Sequence, residues 1–93
     1  MREFTIDQRD FESADEVHDL IAEKLGLPEY YGRNLDALND CLGDISEPTC
    51  ITVRRLRSAE GEFAEWFDRF CKVLTRNAVE SDVFDVVFKR SWF

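Results

Sequence analysis

Three short β-prone runs recur along this chain, each separated from the next by a stretch whose apolar residues repeat at helical spacing. Glu3 to Asp7 alternates, with Phe4 and Ile6 on one side. Cys50, Ile51, Thr52 and Val53 follow Pro48 as a second run. Val83, Phe84, Val86, Val87 and Phe88 make a third, too uniformly apolar for a strand with one wet face. Strands divided by helices cannot close as hairpins and need crossover connections, which are right-handed where chirality applies. The pattern predicts an α/β fold, a small three-stranded parallel sheet packed by helices.

The helices announce their ends. Ser13 and Glu16 have the spacing of a capping box, Val17, Leu20, Ile21 and Leu25 share a face, and Gly26 and Pro28 stop the run. Asn34 is placed to cap a second, shorter helix with Leu35, Leu38 and Leu42 facing inward, ending near Gly43. From about Ala59 to Arg76 a long helix carries Phe63, Trp66, Phe67, Phe70, Cys71 and Leu74 in one arc, and Asn77 suits its end. Arg54, Arg55 and Arg57 lead out of the second strand and read as a neutralised surface loop more readily than as a phosphate patch. With 93 residues, no repeat and no flexible linker, residues 1–93 are expected to form a single domain.

Net charge is −8, and its distribution is uneven. Residues 1–47 hold thirteen acidic and four basic side chains, residues 48–93 seven and eight. Such a negative field disfavours direct nucleic-acid binding, which needs cations to displace counterions from phosphates. It favours a basic protein partner, while composition alone leaves the alternative, acidity that only maintains solubility, slightly ahead. No signal peptide or membrane-length apolar run is visible, so a cytoplasmic location away from membranes is the default. Cys41, Cys50 and Cys71 are spaced for neither a zinc ribbon nor a dithiol motif and are expected to be reduced, mostly buried thiols.

Catalytic chemistry finds little support. His18, the one histidine, falls among acidic residues and is expected to be solvated or capping. No phosphate-cradling glycine loop or metal-ligand spacing is present, so neither cofactor nor metal nor catalytic residue is expected. A hydrolase using paired carboxylates remains a weak third reading.

The second helix breaks its own stability rules. Asp36 and Asp40 stand four apart, where like charges repel by roughly 0.2–0.5 kcal/mol. Asp36 sits in the first turn, where the helix dipole welcomes an anion, but Asp40 lies toward the end where the dipole opposes it. With Tyr30 and Tyr31, held by Pro28 and Gly32, these carboxylates suit a cationic cleft, since carboxylates accept bidentate bonds from arginine. The alternative, Tyr31 in the core and the aspartates merely solvated, stays open.

The segment Leu27-Pro28-Glu29-Tyr30-Tyr31-Gly32-Arg33-Asn34-Leu35-Asp36-Ala37-Leu38-Asn39-Asp40-Cys41-Leu42 closely resembles the barstar family of ribonuclease inhibitors. That family is known for charge-steered association with its targets. The resemblance implies an intracellular inhibitor or immunity protein, monomeric alone, whose partner is a basic ribonuclease or toxin nuclease domain. Tyr30 would contact the nuclease cleft, Asp36 would pair with a basic residue at its edge, and Asp40 would take the place of the scissile phosphate. The same motif extends the expected partner-binding set to Gly32, Asn34 and Asn39. Asn39 stands where the family's namesake has tryptophan, the Gly43–Pro48 loop lacks an expected aromatic, and the connection after Val53 is short for an extra helix. A non-inhibitory acidic module that binds another basic protein is the alternative function.

Overall fold

The computed structural model describes residues 1–56 and 59–91. Strand β1 (Arg2–Asp7) runs through a short 3₁₀ turn, Gln8–Asp10, to helix α1 (Ala14–Leu25). Helix α2 (Leu35–Gly43), strand β2 (Thr49–Leu56), helix α3 (Glu62–Glu80) and strand β3 (Phe84–Ser91) follow. The strands form the expected three-stranded parallel sheet in the order β1-β2-β3, with Phe4, Ile51 and Val86 in one cross-strand row.

Two right-handed crossovers that step the same way across a sheet lay their helices on the same face. Ile6, Ile51, Val53 and Phe84 are accordingly buried beneath the helices, while Glu3, Thr5, Arg54, Asp85 and Val87 on the other face are exposed. This corrects the expectation for the third strand. Val87 and Phe88 remain 41% and 40% exposed, because β3 is an edge strand of a one-sided sheet.

Helix α1 starts where Ser13 accepts from the Glu16 N–H while the Glu16 carboxylate accepts from the Ser13 N–H, and it stops at Gly26 in the left-handed region. It buries Val17, His18, Ile21 and Leu25, leaving Leu20 half-buried. Helix α3 contributes Phe67, Phe70, Cys71 and Leu74 to the core; burying each phenylalanine is worth about 2–3 kcal/mol. Trp66 stacks on Phe70 with ring centres 5.3 Å apart.

Three local expectations need correction. Asn77 does not end α3: it lies inside the helix, buried, with Nδ2 donating to the Val73 carbonyl and to Asn39 Oδ1, both at 2.9 Å. Arg54 and Arg55 belong to β2 rather than a loop, because ladder hydrogen bonding is indifferent to a charged side chain that can point outward; Arg57 lies outside the described residues. His18 is neither solvated nor capping but buried in the core. All three cysteines are free thiols, Cys71 buried and Cys41 and Cys50 half-buried. Among the described residues no helix is long and apolar enough to cross a membrane.

Candidate functional site

The segment between α1 and α2 is fixed at both ends. The Leu27 N–H reaches back to the Ala22 carbonyl at 2.9 Å, and the Tyr31 N–H closes a turn on the Pro28 carbonyl at 2.9 Å. Tyr31 turns into the core, where its hydroxyl lies 2.6 Å from His18 Nδ1. His18 also meets the Trp66 ring edge to face at 5.3 Å. Burial lowers the His18 pKa, partly opposed by Asp15 and Asp19, and pushes that of Tyr31 well above the usual phenol range. The contact is therefore one hydrogen bond between two neutral groups.

With Tyr31 anchored inward, its neighbour Tyr30 projects outward and is 88% exposed. The two tyrosines thus have different jobs, one holding the segment and the other displayed by it. Gly32 lets the segment press against α2: a Cβ there would lie 3.1 Å from Asn34 Nδ2 and 3.4 Å from the Ala37 Cβ. Arg33 follows in the left-handed region at φ 53°, a conformation uncommon for a residue with a side chain, and its guanidinium pairs with Asp19 at 2.7 Å. Asn34 then caps α2, Oδ1 accepting from the Ala37 N–H at 2.8 Å while Nδ2 donates to the Gly32 carbonyl at 3.2 Å.

Leu38 and Leu42 hold α2 to the core, with Leu35 half-buried beside them, which leaves Asp36, Asp40 and the C-cap residue Asp44 exposed at four-residue intervals. None of the three has an ion-pair partner among the described residues, and no basic residue stands in the last turn of the helix. Asp40 and Asp44 therefore add negative charge where the helix dipole is already negative. A groove of about 610 Å³ runs between this end of α2 and the preceding segment. Tyr30, Gly32, Asp40 and Asp44 line it over an apolar floor that includes Leu27, Pro28 and Ile45. The cation on its rim, Arg2, is already held by Glu47 at 2.7 Å and by the Leu25 carbonyl at 2.8 Å.

Tyr30, Gly32 and Asp40 thus share one concave surface, and Asp36 extends it one turn along α2. Asn34 acts locally as the cap. Asn39 is half-buried and turned toward α3 through Asn77. Sequence reasoning missed Asp44, although its place four residues beyond Asp40 carried the signal. It also missed the His18–Tyr31 anchor, whose signal was the helical spacing of His18 with Ile21 and Leu25.

The chemistry on offer is cation recognition. Cys41, beside the carboxylates, is a poor nucleophile because burial first, then Asp44 and Asp40, raise its pKa. No group of three His, Cys, Asp or Glu side chains among the described residues could hold a metal ion.

The model of the family described as "Barstar (barnase inhibitor)" matches residues 1–89. A Bacillus subtilis (strain 168) protein named "Putative ribonuclease inhibitor YrdF" is 35% identical over 91 residues, covering 96% of this chain and 100% of the relative.

Proposed function

Because the chain belongs to the barstar family, we propose that it inhibits a ribonuclease, acting by binding and not as an enzyme. In this reading Tyr30, Asp36 and Asp40 enter the cationic cleft of a basic ribonuclease, and Asp40 takes the place of a substrate phosphate. The observation that carries it is the row of unpaired carboxylates on α2 beside the exposed Tyr30 ring. A carboxylate that costs a helix stability can be retained where it meets arginine or lysine desolvated in a complex. Filling the cleft excludes RNA and neutralises the groups that would stabilise its transition state, so inhibition needs no reacting group on this chain. Gly32 and Asn34 serve by fixing the Tyr30 segment against α2, and Asn39 contributes at the edge.

Three free thiols suit a reducing compartment, in keeping with a cytoplasmic inhibitor that protects the producing cell. The test is RNA cleavage by a panel of basic microbial ribonucleases with and without equimolar protein. Cleavage by at least one should stop, with inhibition weakening as salt rises. Binding without inhibition would instead identify an acidic interaction module, and no binding to any of them would refute the reading.

A further inference from the structure

The surface at the other end of the sheet is of opposite sign. Thr49 and Arg55 stand six positions apart along β2, about 20 Å at ~3.3 Å per residue. The Tyr30–Asp40 groove lies at the Thr49 end. At the far end, on the face the helices cover, Arg55 stands in register with Arg90. Like charges directly opposite each other destabilise a sheet. On α3, Lys72 and Arg76 repeat the conflict at four-residue spacing. Arg55 is paired with Asp68, whereas Lys72, Arg76, Lys89 and Arg90 have no ion-pair partner among the described residues.

Arg55, Lys72 and Arg76 line a groove of about 640 Å³ between α3 and the edge strand β3. Asp68 is its one carboxylate, and the half-exposed Phe88 ring also lines it. Cations bordering an exposed aromatic ring form the pattern that holds single-stranded nucleic acid, phosphates on the cations and a base on the ring. A volume of this size also fits a nucleotide. The net charge of −8 averages two ends of the molecule; at this groove three cations face one carboxylate.

We propose that the α3–β3 groove binds single-stranded RNA, with Lys72, Arg76 and Arg90 taking phosphates and Phe88 stacking a base. This surface is separate from the α2 face, so inhibitor function and RNA contact stand or fall independently.

The test is fluorescence anisotropy of a labelled single-stranded RNA decamer titrated with the full chain. Three phosphate contacts give a salt slope near −2, so raising salt from about 50 to 200 mM should weaken binding roughly 20-fold. Lys72→Glu with Arg76→Glu, both exposed on a helix and not needed for packing, should abolish binding while the thermal melt is retained. Phe88→Leu should weaken it by between about 5- and 150-fold, the range for one lost stacking contact. Absence of binding at 50 mM salt, or binding unchanged in the double variant, overturns the proposal. So does polyglutamate competing as well as RNA together with an unaffected Phe88→Leu variant, which would mark the groove as a site for acidic polypeptides.

Discussion

Replacing Tyr31 by phenylalanine tests how the site is held. The change deletes one oxygen and leaves the ring, so the edge contact with the His18 ring and the packing in the core are kept. What is lost is the 2.6 Å hydrogen bond to His18 Nδ1, in a structure where no buried side-chain nitrogen or oxygen among the described residues lacks a partner. A buried polar group stripped of its partner costs about 1–3 kcal/mol. Taking ~2 kcal/mol, a domain of this size should melt roughly 8–16 °C lower. Urea denaturation of both proteins at pH 7.5 would measure the difference. Adding His18→Leu to Tyr31→Phe should recover part of the loss, because removing both polar partners is far cheaper than stranding one. A Tyr31→Phe protein within about 0.5 kcal/mol of wild type would refute the reasoning, since that is the scatter of neutral surface changes.

The same contact gives a pH dependence. His18 is depressed by burial, so the unfolded chain takes up the proton first; stability is complete above pH 6.5 and falls as pH drops from 6.5 to the folded-state value. The contribution of His18 to the slope cannot exceed about 1.4 kcal/mol per pH unit, and should vanish in His18→Gln when denaturation is followed between pH 7.5 and 5. Asp7, held down by its hydrogen bonds from Arg9, contributes stability above 3.8 that is lost only as pH falls below that value, so the two windows separate. Asn34→Ala removes the cap of α2 and should lower stability by ~1 kcal/mol, seen as a reduced urea midpoint with unchanged slope. Gly32→Ala, which brings a Cβ within 3.1 Å of the Asn34 side chain and so disturbs the α2 cap, should cost no more than about 1 kcal/mol and weaken ribonuclease binding by shifting the Tyr30 segment; equal affinity would show that the close approach is dispensable.

Legibility in the sequence followed locality. Ser13, Glu16, Gly26 and Asn34 act on their own neighbours, so α1 and the start of α2 could be read directly. Asn77 misled because its partners, the Val73 carbonyl and Asn39, compensate a residue that otherwise favours helix ends. The apolar run of β3 was punctuated by Asp85, and only the side on which both helices fall decides that Asp85 and Val87 face outward. Of the site, Asp36 and Asp40 were visible as a charge conflict on one helix. The separation of Tyr30 from Tyr31 was not, because the anchor that divides them joins residues thirteen positions apart.

The most direct test of the central claim is calorimetry of a basic ribonuclease with wild type, Asp40→Ala and Asp10→Ala. Removing one partner of a desolvated charge pair costs about 3–5 kcal/mol, so Asp40→Ala should weaken binding by at least a hundredfold. Asp10 is also exposed but follows the Asp7 end of β1, opposite the Thr49 end where the groove lies, and its loss should change affinity less than threefold. Equal losses in the two variants, or none in Asp40→Ala, would contradict the account.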